Sequence, residues 1–266
     1  VTASSTQAVH AQTAVPPGTD AIGWLLGEDG RRTLSRIVLP LLALAAAAWV
    51  VTARTGAMGS VQVGAFVASW ILMMVAMMLP AVSPVVALYA RAARRSAVAS
   101  VPFFVTGYLL LWAVTALPAL AIARQVSGAV MTGEPWVARL AGGTLLAAAV
   151  YETSAWKTVC LRECRSPLTF FLARTGSLRQ PAAAVAAGAR HAAYCLGCCW
   201  ALMAVLMVLG GMQLGWALAL AVALSAEKVL PWPTFVTRLV AATAAALGLA
   251  LLLEPSLLNH LVAGSM

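Results

Sequence analysis

The sequence predicts an all-α fold, a polytopic integral membrane bundle of about seven transmembrane helices. Three observations carry that reading. The 266 residues are 62% hydrophobic and only 9% charged, where a soluble domain has about a quarter of its residues charged. Mean hydropathy is +0.91. Several runs of 18 or more residues carry no charge, and they match the ~20 residues of helix that cross a ~30 Å hydrocarbon core.

Taken in order, residues 1–30 are polar and rich in Ala, Thr and Ser, too poor in apolar side chains to order themselves. A single transmembrane helical domain is expected over 31–266. "RRTLSR", residues 31–36, precedes the first apolar stretch and has the look of a signal-peptide n-region. The spans that follow favour a first helix that is retained. Helices are expected at 35–53, 62–88, 101–123, 137–156, 183–209, 214–230 and 236–253. The first ends near Arg54 and Gly56, the second runs past Pro80, and the third contains Pro118, a kink site. The uncharged "LGGMQLG" at 209–215 joins the fifth and sixth as a tight hairpin. No internal repeat stands out.

The net charge of +9 would suggest nucleic acid in a soluble chain. Here the basic residues fall in short loops, so they speak of orientation in the lipid bilayer and no nucleic-acid partner is expected. With the N-terminus in the cytoplasm, inner segments hold 14 of the 17 Lys and Arg, and outer segments only Arg54, Arg124 and Arg139. The excess of inner positive charge orients the multi-pass chain in the cell membrane, and seven spans leave the C-terminus outside. One helix more or fewer would move only that end.

Three stretches on the expected cytoplasmic side carry unusual chemistry. In "WILMMVAMMLP", residues 70–80, Met73 and Met77, and likewise Met74 and Met78, are four apart and stack along a helix. Thioethers are soft ligands suited to Cu(I), although methionine also fills core gaps. In "KTVCLRECRSP", residues 157–167, Cys160 and Cys164 share a helix face, with Arg162 and Arg165 nearby to favour thiolate. "HAAYCLGCCW", residues 191–200, holds three cysteines and a histidine. At ~100° per residue, with Cys195 at zero, Cys199 lies at about +40°, Cys198 at about −60°, His191 at about −40° and Met203 at about +80°. Met207 extends the stripe deeper. One helix supplies two or three donors from such an arc, and Cys160, Cys164 or the methionines of the second helix are left to complete the shell. If Gly197 breaks this helix, the donors stay close together. Such a donor set suits copper as Cu(I), with zinc open as an alternative.

An odd count of five cysteines in a reducing compartment argues against a disulfide framework. Cys195 and Cys198 have the spacing of a membrane thiol–disulfide oxidoreductase, which stands as one alternative function; a non-catalytic subunit of a membrane complex is another. Glu227 and Lys228 in "SAEKVLPWP" are ionisable groups at the inner end of the sixth helix, readable as a surrounding shell of a metal site or as an interfacial pair with Lys228 snorkelling. Glu152 is placed to accept a hydrogen bond from Tyr194 or to balance a bound cation. The chain has no phosphate loop, dinucleotide fingerprint or nucleophile elbow. His10, His191 and His260 are too few and scattered for haem ligation or a dicopper oxidase centre. The pattern points to metal handling rather than catalysis.

Four elements carry a family likeness: Trp70 to Pro80, Cys160 to Pro167, His191 to Met203 and Glu227 to Pro231. Their order resembles the predicted metal-binding integral membrane proteins, a family filed as a domain of unknown function, over roughly residues 60 to 240. The resemblance implies a helical membrane protein that binds a metal, copper foremost, and some members are labelled copper chaperones. A Cu(I)-handling chain would pass the ion across the membrane or to a partner, a copper enzyme or copper carrier protein. This chain departs from the family pattern at Tyr151-Glu152 and Ala155, where the family has Tyr-Gln and a proline, and at Gln213, where it has Asn.

Overall fold

The structure is a computed structural model that describes residues 34–55, 62–92, 97–132, 135–165, 180–209 and 214–256. The polar segment 1–30 and the hairpin loop at 210–213 lie outside these residues. Among the described residues the fold is all-helical. A π-helical turn, Leu34–Val38, leads into α1 (Leu39–Thr55), followed by α2 (Val63–Ala92), α3 (Ala97–Thr132), α4 (Pro135–Glu152), α5 (Ala155–Arg165), α6 (Pro181–Val208), α7 (Leu214–Val229) and α8 (Pro233–Leu253).

A helix stands at each of the seven expected places, with two differences. The helix expected at 137–156 stops at Glu152. Thr153 and Ser154 form a turn, their amides bonded back to Val150 and Tyr151. The Ser154 hydroxyl then accepts the Lys157 amide at 3.2 Å, which caps a separate helix, α5, in the way serine side chains favour. α3 also continues well beyond 123, straight through Pro118.

Among the described residues, five helices are long and apolar enough to cross a membrane: Ser35–Arg54, Val63–Ala90, Ser100–Val126, Pro181–Val208 and Pro233–Leu253. α4 has 18 residues and α7 has 16; α7 reaches only ~24 Å at 1.5 Å per residue. Of the five, those on α2 and α6 are mostly buried in the bundle, whereas α1, α3 and α8 turn most of their apolar surface outward. Leu110, Val114 and Leu117 on α3 are 54–63% exposed, a stripe at helical spacing that water would penalise and lipid would not.

α6 is the central element. One face joins α3, α5 and α7, with α2 packed in turn on α3 and α7, around Trp70, Met77, Tyr108 and Leu224. The other packs on α4, which in turn carries α8, around Val137, Leu145 and Leu251. Contact with α3 is close because glycines meet there: a Cβ on Gly188 would strike the Phe104 carbonyl, and one on Gly107 the Val185 carbonyl. Small residues let helix backbones approach in this way. Across the bundle, the Trp70 indole donates to the Trp112 carbonyl at 3.0 Å and locks α2 to α3.

Candidate metal centre

α6 runs unbroken through Gly197, so its sulfurs keep the helical phasing of the sequence. Cys195, Cys198 and Cys199 are all at most 1% exposed. α5 packs over the side carrying Cys198 and Gly197. A Cβ on Gly197 would lie 2.7 Å from Cys160 Sγ, so the missing side chain is what admits α5 to this depth. The Tyr151 hydroxyl also donates to the Gly197 carbonyl, which ties the end of α4 to the same point.

The result is a sulfur trio drawn from two separate stretches of sequence. The Sγ atoms of Cys164, Cys195 and Cys198 lie within 4.8 Å of one another, and all three residues are buried. Cys195 is the hub. Its sulfur is 3.0 Å from the Tyr108 hydroxyl of α3 and accepts from Lys228 Nζ of α7 at 3.1 Å. The same ammonium lies 3.9 Å from Met78 Sδ of α2. A thiolate at Cys195 therefore has its counter-ion in contact, the arrangement that favours reactive and metal-binding sulfur. Hydrogen bonding to Cys195 and Cys198, together with burial, holds the Cys164 thiol well above the ordinary thiol range. Burial also raises the Cys160 thiol.

The remaining expected ligands distribute around the trio rather than in it. Cys199 Sγ donates to the Cys195 carbonyl at 2.9 Å, and Cys160 is half-buried against Gly197. His191, one turn before Cys195, is 3% exposed, between the rings of Phe104 and Tyr108 at 6.1 and 6.0 Å. Neither of its nitrogens has a hydrogen-bond partner among the described residues. Met73, Met74, Met77, Met78 and Met203 are all buried, and Met78 is the one in contact with Lys228.

The charged residues are arranged differently from the sequence expectation. Glu227 does not pair with Lys228, and Lys228 does not snorkel; it is 8% exposed. Adjacent helical positions point ~100° apart, so the two face different neighbours. Glu227 accepts from Lys157 Nζ through both oxygens, at 2.9 and 2.8 Å. Glu152 takes the same ammonium rather than Tyr194, which is half-buried. Arg165 donates to the carbonyls of Glu227 and Leu230 and closes the C-terminal end of α7. Two residues of this region, Tyr108 and Lys157, escape a motif search. Tyr108 is one polar atom in an apolar span, and Lys157 sits where the sequence suggests a solvated helix end.

Residues 67–251, well over half of the chain, match the model of the family PpoB2, described as copper chaperone. The chain belongs to that family, a metal-binding one by its description, as the motif order led one to expect. No curated protein matches the chain, and no solved structure does.

Proposed function

We propose, from membership of this copper chaperone family, that the chain takes up Cu(I) at Cys164, Cys195 and Cys198 inside a membrane-embedded helical bundle and hands it to a copper enzyme or carrier protein. The observation that carries the reading is the convergence of three buried sulfurs from α5 and α6 within 4.8 Å. Thiolates select Cu(I) among abundant ions by softness, and three of them around one ion form a trigonal shell that needs no fourth ligand.

Each neighbour has a part in this scheme. Lys228 offsets the negative charge of a thiolate-bound monovalent ion in a medium where unpaired charge is costly. Tyr108 fixes the direction of the Cys195 sulfur. Met78, a thioether beside the same ammonium, is an exchangeable stop for the ion next to the trio, and Met74 continues that stripe along α2. His191, Cys160 and Cys199 border the site as further soft or borderline donors. The charge pattern of the sequence puts loading or delivery on the cytoplasmic side. A redox pair at Cys195 and Cys198 would leave the third sulfur, the lysine and the methionines without a role.

The test is copper analysis of the purified protein against a variant with Cys164, Cys195 and Cys198 all replaced by Ser. One Cu(I) per chain is expected to fall to background. Unchanged stoichiometry in the triple variant would remove the proposal.

A further inference from the structure

Beside the sulfur trio, on the outer flank of α5, a cleft of about 500 Å³ opens between the end of α4, α5 and the start of α8. Two features of its wall are those of an anion site. Arg162 and Arg238 line it and are exposed, and no ion pair to either occurs among the described residues. Lys157 and Arg165, by contrast, are committed to Glu152, Glu227 and main-chain carbonyls. The N-terminus of α8 points there too: Trp232 gives it no side-chain cap, and Pro233 and Thr234 form part of the wall. Uncapped amides at the start of a long helix attract oxyanions.

Two buried polar atoms in the same wall have no partner among the described residues. One is Thr237 Oγ1, a turn into α8, which has a proton to give. The other is Oε1 of Glu152, a residue only 1% exposed, which accepts as the carboxylate paired with Lys157. An occupant that satisfies the whole wall carries an oxyanion for the two arginines and the helix terminus, and a donor group for Glu152. The rim identifies where such a molecule comes from. Trp156, Trp232 and Phe235, each next in sequence to a wall residue, are 67–79% exposed. Exposed tryptophans at the end of an apolar span mark headgroup depth, and basic pockets between helix ends at that depth hold anionic lipid headgroups.

We infer that this cleft is a phospholipid site, with the phosphate on Arg162, Arg238 and the α8 amides and a headgroup hydroxyl donating to Glu152, the pattern of a phosphatidylglycerol. The inference rests on the membrane reading of the chain. A lipid seated there would bridge α5 to α8 and so brace the helix that contributes Cys164.

The test is native mass spectrometry of the detergent-purified full chain after equilibration with equal amounts of phosphatidylglycerol and phosphatidylcholine. Retention of phosphatidylglycerol is expected to exceed that of phosphatidylcholine by about tenfold or more, from two guanidiniums near the surface. The preference should collapse in the Arg162→Gln, Arg238→Gln double variant and persist in Arg54→Gln, Arg139→Gln. Equal retention of the two lipids, or equal loss in both double variants, overturns the site. Displacement of the lipid by soluble glycerol 3-phosphate at matched concentration overturns the lipid assignment in favour of a free phosphate ester. A chain that stays in solution without detergent or lipid defeats the membrane reading, a different failure from the loss of lipid preference in a chain that needs detergent.

Discussion

Two buried ammonium groups meet α7 at consecutive residues, and their surroundings differ in kind. Lys157 reaches Glu227 and is enclosed by two carboxylates with no exposure at all. Lys228, the next residue along, faces sulfur: Cys195 at 3.1 Å and Met78 at 3.9 Å. The first is a hard set of contacts that engages every carboxylate oxygen but Glu152 Oε1. The second is a loose pairing of a hard cation with soft, polarisable atoms that a soft metal ion would prefer. The difference teaches a division of labour. The Lys157 centre clamps α4, α5 and α7 together, and the Lys228 centre, under the proposed function, is where a soft ion would exchange most easily.

The largest effect should come from breaking the clamp. Lys157→Met strands two buried carboxylates and is expected to destabilise the protein by about 3–5 kcal/mol, read as a drop in thermal unfolding temperature in detergent. Lys228→Met, a similar loss of charge one centre away, should cost less, because it leaves a single group, Cys195, which can revert to a neutral thiol, rather than two carboxylates. If the two variants melt alike, the contrast is wrong. Next in size, Gly188→Ala forces α3 off α6 at the Phe104 carbonyl and should cost about 1–3 kcal/mol as overpacking, with copper content falling as Tyr108 moves away from Cys195. Tyr108→Phe removes one hydrogen bond to Cys195, worth about 0.5–1.5 kcal/mol, and leaves the clamp untouched.

The site also has a sign in pH. The Cys164 thiol is held protonated by its hydrogen bonds to the neighbouring sulfurs and by burial, and metal binding must expel that proton. Cu(I) affinity, measured by competition with a chromophoric chelator, is therefore expected to rise as pH rises. A flat profile would mean that Cys164 does not ligate.

Much of this was legible in the sequence. Apolar run length located the helices, and phasing at ~100° per residue placed Cys195 and Cys198 on one wall. What phasing cannot supply is which helix covers that wall. The break at Thr153 and Ser154 frees α5 to tilt against Gly197, and this selects Cys164 over Cys160 and Cys198 over Cys199. Neighbouring positions in the chain also misled. Glu227 and Lys228 look like a pair because they are adjacent, yet their side chains leave the helix in different directions, and each finds a partner far away in sequence. Tyr108 carries no motif at all; only the glycine-mediated approach of α3 to α6 brings it to Cys195.

In the proposed site Cys164, rather than Cys199, is the third sulfur of the copper shell. A Cu(I) competition titration comparing Cys164→Ser with Cys199→Ser tests it most directly. Loss of a ligand exceeds the ~10–100-fold that loss of an outer partner costs, so Cys164→Ser is expected to weaken binding by more than about a hundredfold while Cys199→Ser stays near wild type. Wild-type affinity in Cys164→Ser, or the reverse ranking of the two variants, would contradict the account.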